Sequence, residues 1–180
     1  MRLEEEIKQS KFKDETHKLG VNIIYSASWL SSKHLRVLKE FNLSIQQFNI
    51  LRILRGRHPE SATVKLLSER MIDKMSNASR LVEKLRHKGL VERTSCPEDR
   101  RSVDIAITRE GLEIINQASK VTENEMKNAL STLTKKEAKQ LNDLLDKMRG
   151  KGDMGEFGNQ DNYFCSELIA QALKVAGVVK

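Results

Sequence analysis

The sequence predicts a mainly α-helical fold carrying one small β-wing, and three observations predict it. Apolar residues recur at three- and four-residue steps over most of the chain, the mark of helices with one buried face. Alternation with a period of two is confined to a short stretch, where Val103, Ile105 and Ile107 are separated by Asp104 and Ala106. Residues 68–111 (SERMIDKMSNASRLVEKLRHKGLVERTSCPEDRRSVDIAITREG) read as a short helix, a turn, a basic helix and two strands joined by a loop tipped with Asp99, Arg100 and Arg101. A helix sized for a DNA major groove, followed by an arginine-tipped hairpin, is the outline of a winged helix-turn-helix.

The elements follow in order. A helix is expected over about 14–40, where Leu19, Ile23, Ile24, Ala27, Leu30, His34, Val37 and Leu38 form one stripe. Ser44 with Gln47 is a capping box that opens a helix to about Arg55, with Phe48, Leu51 and Leu54 inward and with Gly56 and His58-Pro59 closing it. Ser61 or Thr63 caps a short helix to about Met71, and the basic helix is expected from about Lys74 to Lys88, ended by Gly89 in a left-handed C-cap. Leu81, Val82 and Leu85 should hold that helix to the core. Strands are expected over Leu90–Thr94 and Val103–Thr108, and Thr108 caps a helix of about 109–130. Thr134 with Glu137 is a second capping box, opening a helix with Ala138, Leu141, Leu144, Leu145 and Met148 on one face.

A chain of 180 residues buries one ordinary core, too small for all of these apolar stripes. The economical solution is a symmetric homodimer with interleaved long helices. Residues 1–40 are therefore expected to be an N-terminal dimerisation helix and 41–108 the winged helix-turn-helix. Residues 109–149 form C-terminal dimerisation helices, and 150–180 a joint (GKGDMGEFG) with an amphipathic tail.

Charge points to the partner. The net charge is +7 with pI ≈ 9.4, and Lys74–Arg101 holds eight Lys/Arg against four Asp/Glu, a net of +4. A polyanion, double-stranded DNA, is the expected partner. No apolar run reaches the roughly 18 residues of a membrane span, and the first residues (MRLEEEIKQSK) are too polar for a signal peptide. Cys96 and Cys165 form no CxxC or disulfide framework, so a reducing, cytoplasmic compartment is expected. His17, His34, His58 and His87 are scattered without chelating spacing, and no metal or cofactor is implied.

Ser76, Asn77 and Arg80 are expected one turn apart on the leading half of the basic helix, where a docked helix meets base edges. Arginine can donate twice to guanine, and asparagine can make two bonds to adenine. Lys74 in the first turn, Lys84 further along the same face and Thr63 at the preceding helix complete the expected DNA-facing set of the reading head. On the wing, Arg101 is expected in the minor groove, Arg100 on the backbone, and Asp99 bracing an arginine or fixing the turn.

The motifs SNASRLVEKLRHKGLVER (76–93) and DRRSVDIAITREG (99–111) contain a helix ending in LxxxGLV, a D-x-R wing, alternating apolar residues and T-x-x-G. With them, residues 1 to about 149 resemble the MarR family of bacterial winged-helix regulators. The resemblance implies a homodimeric transcriptional regulator, a repressor released by a small aromatic effector near Tyr25, Trp29, His34 and Arg55, and nucleoid-associated when bound to DNA. Thiol sensing is disfavoured, because no cysteine precedes Cys96. One departure is Ile72, where many members place a small residue; Asp73 is then expected to cap the basic helix. The tail is foreign to the pattern. Leu168, Ile169, Ala172, Leu173 and Ala176 give it an apolar face, and Tyr163–Leu168 resembles the nucleophile segment of permuted papain-like cysteine hydrolases. That supplies a rival reading, a hydrolase using Cys165, but about thirty residues cannot build the sheet and histidine it needs, so no enzyme is expected. A second rival is a non-specific architectural DNA binder.

Overall fold

The structure, a computed structural model, describes residues 2–95 and 103–150. The chain divides into two compact units, with Met1–Trp29 in one and Leu30–Lys151 in the other. Cys96, the wing tip with Asp99, Arg100 and Arg101, the 151–180 tail and Cys165 lie outside the described residues.

In the first unit, helix α1 (Leu3–Glu6) precedes the leading half of α2 (Glu15–Glu40). Glu4 pairs with Lys18 at 2.6 Å, and Tyr25 Oη donates to Glu6 Oε2 at 2.8 Å. The Tyr25 contact is exposed and the Glu4–Lys18 pair only half-buried, so they order α1 without adding much stability. The sequence gives α1 no periodicity, and it was not among the expected elements.

The second unit continues α2 into α3 (Ile45–Arg57), β1 (Ala62–Thr63), α4 (Val64–Arg70), α5 (Ala78–His87), β2 (Val91–Ser95), β3 (Val103–Ile107), α6 (Arg109–Ala129) and α7 (Lys135–Arg149). The sheet is antiparallel in the order β1-β3-β2, with Val91 opposite Ile107, Ser95 opposite Val103, and Ala62 opposite Ile105. Its core is formed by Leu38, Ile50, Leu51, Leu54, Leu67, Met71, Leu85, Ile105 and Ile115. Ile105 and Ile107 point into it, as their alternation requires.

Both expected capping boxes are present. Ser44 Oγ accepts from Gln47 N while Gln47 Oε1 accepts from Ser44 N, each at 3.1 Å. Glu137 closes the same loop on Thr134. Thr63, not Ser61, caps α4, accepting from Leu66 N at 3.2 Å. Gly56 lies inside α3, which runs to Arg57 with His58 as its C-cap. Gly89, at φ +72°, ends α5 as expected: Leu90 N donates to Leu85 O and Gly89 N to Arg86 O, a Schellman motif.

One boundary is corrected. The basic helix starts at Ala78 rather than Lys74, so Lys74 and Ser76 lie in the turn before it. Asn77, not Asp73, is its N-cap, with Oδ1 accepting from Arg80 N at 2.9 Å. Val82 and Leu85 face inward as expected, while Leu81 is half-buried.

The apolar stripes expected at a dimer interface are exposed in the single chain. Helix α7 buries no residue and leaves Leu141, Leu144 and Met148 open, and Leu19, Ile24 and Leu35 of α2 are exposed too. Among the described residues, no helix is long and apolar enough to cross a membrane.

Candidate nucleic-acid interface

Helix α5 has two unlike sides. Ala78, Val82 and Leu85 are buried, while Ser79, Arg80, Lys84, Arg86 and His87 are exposed. Cations on the exposed side fall into two groups. Glu83 takes Arg86 at 3.1 Å and Arg93 of β2 at 3.2 Å, so both guanidiniums are tied laterally. The Arg86 hydrogen bond is the first cause holding the Glu83 carboxyl below its ordinary value. Arg80 has no hydrogen bond or ion pair from its guanidinium to any described residue, and Lys84, one turn on, shares its face.

Before α5 comes a turn held from outside itself. Asp73 Oδ2 accepts from Ser76 Oγ at 2.7 Å and from Gln46 Nε2 at 3.4 Å, and Asp73 Oδ1 accepts from Met75 N at 3.1 Å. The Ser76 hydroxyl, first among these donors, holds the Asp73 carboxyl below its ordinary value against a partial desolvation that raises it. Asn49 Oδ1 accepts from Ile72 N at 2.9 Å. Gln46 and Asn49 both stand on α3, so the core that fixes α3 also fixes the approach to α5. Sequence reasoning missed these two braces, since their partners lie more than twenty residues away.

At the far end of α5, Lys88 donates to Asn42 O and, at 3.2 Å, to Gln47 Oε1. Burial first, then the charge of Lys84, lowers the Lys88 pKa. Lys84, His87 and Lys88 share a shallow cleft of about 390 Å³ with Ser44, Gln47 and Leu81. The wing is clamped where it joins the body. Thr108 Oγ1 donates to Gly89 O at 2.8 Å and accepts from Gly111 N at 3.0 Å, while Thr108 N donates to Leu90 O.

The expected site residues are placed as follows. Arg80 and Lys84 share the exposed face of α5, with Asn77 at its cap and Ser76 and Lys74 in the turn. The Ser76 hydroxyl is engaged by Asp73 and the Lys74 ammonium by Glu69 O, and the Asn77 oxygen is used by the cap, leaving its amide nitrogen outward. Thr63 has its hydroxyl in the α4 cap and its backbone opposite Asp104. Of the expected effector residues, Tyr25 and Trp29 belong to the first unit, and His34 and Arg55 to the second. Arg55 Nη1 donates to Asn116 Oδ1 at 3.2 Å and Ser119 Oγ at 3.0 Å, tying α3 to α6. Burial first, then the Arg52 charge, lowers the His34 pKa and favours its neutral form.

Comparison with known proteins adds kinship to this geometry. Residues 43–103 match the model of the MarR family. The HTH-type transcriptional repressor IacR of Pseudomonas putida is 29% identical over 111 residues, 62% of this chain and 65% of its own length. The HTH-type transcriptional regulator PecS of Dickeya dadantii (strain 3937) is 30% identical over 115 residues, 63% of this chain and 69% of its own. The chain thus spans about two thirds of the length of these curated relatives. The crystal structure of the organohalide sensing RdhR-CbdbA1625 transcriptional regulator, in its 2,4-dichlorophenol bound form, shares the fold. Its TM-score is 0.71 at 24% identity, covering 79% of this chain and 86% of that one.

Proposed function

The chain belongs to the MarR family, and from that premise we propose that it is a sequence-specific DNA-binding transcriptional regulator rather than an enzyme. It acts as a cytoplasmic homodimer, placing one α5 in each of two successive major grooves of a pseudo-palindromic operator. The observation that carries this reading is Arg80, a guanidinium without a partner among the described residues, on the exposed face of a helix whose other side is anchored by Val82 and Leu85. Such a group can donate twice to one guanine. Asn77 adds its amide nitrogen and, with Ser76, completes the base-edge set, Lys74 and Lys84 meet phosphates, and Thr63 belongs to the same DNA-facing set. On the wing, Arg101 enters the minor groove, Arg100 meets the backbone, and Asp99 braces an arginine or fixes the turn.

Support for the homodimer comes from the exposed apolar faces of α2 and α7, which a single chain leaves in water. Repression, and release of DNA by a small aromatic effector at Tyr25, Trp29, His34 and Arg55, complete the proposal. The family supports repression through IacR, a repressor by name. The lowered pKa of His34, which favours its neutral form, supports the effector part, since a neutral imidazole is able to meet a phenol.

The test is Arg80→Ala with light scattering and titration on a selected duplex. The dimer mass should be unchanged, binding should weaken by about 1–3 kcal/mol, and preference at one base position should relax. Equal loss on every sequence would count against sequence reading, and a monomer at micromolar concentration against the two-fold arrangement. Weakening of the wild-type complex by phenolic acids, lost in Arg55→Ala, tests the effector part.

A further inference from the structure

Ile72 and Met75, at 85% and 62% exposure, are the most exposed large apolar side chains among the described residues. Both stand in the turn that leads into α5, and neither sits on free backbone. Ile72 N is held by Asn49 Oδ1 at 2.9 Å and Met75 N by Asp73 Oδ1 at 3.1 Å. Asn49 belongs to α3, whose Ile50, Leu51 and Leu54 are fully buried, so two apolar groups are displayed on a turn braced from the core.

Their surroundings decide what they meet. From Arg70 to Arg80 the chain carries Arg70, Lys74 and Arg80 against Asp73 alone, and the Asp73 carboxylate is already engaged by Ser76, Met75 and Gln46. An apolar protein partner would have to strip water from these cations without repaying their charge, whereas a polyanion compensates it. On the major-groove edges of DNA the apolar group is the thymine 5-methyl.

We infer that Ile72 and Met75 are specificity-determining residues that pack on thymine 5-methyl groups at the margin of the half-site entered by Arg80. The inference rests on the regulator reading above and adds to it a base preference that hydrogen bonding alone does not supply. Ile72 also gains a purpose at a position where a smaller residue would serve the turn, since its side chain supports nothing in the fold.

The test uses the full chain and a duplex recovered by selection from a random library, resynthesised with uracil, which lacks only the methyl, at each thymine in turn. Uracil at one or two positions per half-site should weaken wild-type binding about fourfold each, the value of one buried methyl. Ile72→Ala and Met75→Ala should bind the thymine duplex more weakly by a similar factor and no longer distinguish uracil from thymine at those positions. Their thermal unfolding should match the wild type, because both side chains are exposed. Wild-type binding indifferent to uracil everywhere overturns the inference, and so do variants that keep the full thymine preference. Failure to recover any motif is a separate outcome: it removes the regulator reading, and this inference with it.

Discussion

Asn49 on α3 accepts a hydrogen bond from the backbone amide of Ile72, 2.9 Å away, at the elbow between α4 and α5. The bond transmits the rigidity of a core helix to the turn that leads into α5, through the backbone of Ile72 rather than through burial of its side chain. Asn49→Ala should lower stability by about 1 kcal/mol, since water can reach the freed amide. The loss of DNA affinity should be larger than that, because the turn positions Asn77 and Arg80. Denaturant titration alongside duplex binding checks the two together; unchanged affinity would show that the turn holds itself.

Asn77 has two duties that substitution can separate. Its oxygen caps α5 through Arg80 N, and its amide nitrogen is left outward. Asn77→Ala should cost about 1 kcal/mol of stability through the lost cap and reduce DNA binding. Asn77→Asp keeps the cap and favours the helix dipole, so its melting temperature should be at or above wild type, while a carboxylate brought against the DNA polyanion should depress binding further than alanine does. Wild-type affinity in the aspartate variant would remove Asn77 from the interface.

Gly111 sits where α6 meets the start of the wing. A Cβ there would overlap the Leu90 carbonyl oxygen and come within 2.8 Å of Ile107 Cγ1. Backbone cannot rotate aside as a side chain can, so Gly111→Ala should destabilise the fold by about 1–3 kcal/mol. A loss below about 0.5 kcal/mol in denaturant would show that the α6–wing junction yields.

Asp73 carries a pH signature. Hydrogen bonds from Ser76 first, then from Gln46 and Met75, hold its carboxyl below the ordinary value. A carboxyl depressed in the folded state contributes stability above its unfolded value of about 3.9, and that contribution fades as pH falls through the lower folded value. The stability gap between wild type and Asp73→Ala should therefore be flat from about pH 5 to 8 and narrow below about pH 4. A gap that changes near neutrality would mean another group titrates with the turn.

Local patterns were legible and long-range ones were not. The capping boxes at Ser44 and Thr134, the Gly89 terminus and the Thr108 cap are written within four or five residues, and each stands where the sequence predicts it. The start of α5 was misplaced because Asp73 looks like a cap from sequence; its side chain instead closes the turn on Met75 and Ser76, leaving Asn77 to cap. Strand β1 has two residues, too few to show a period, and exists through pairing with β3. The side chains of Arg80 and Arg86 look alike in sequence, yet Glu83 ties down only Arg86, a distinction that needs coordinates.

The most direct test of the central claim, sequence-specific binding by a two-fold dimer, is selection of duplex DNA by the purified protein, with binding repeated across salt concentrations. A single two-fold-symmetric motif is expected, with half-sites about 10 base pairs apart centre to centre and affinity about 10³-fold or more above bulk DNA. Salt-sensitive binding without any motif would contradict it and leave a non-specific architectural binder.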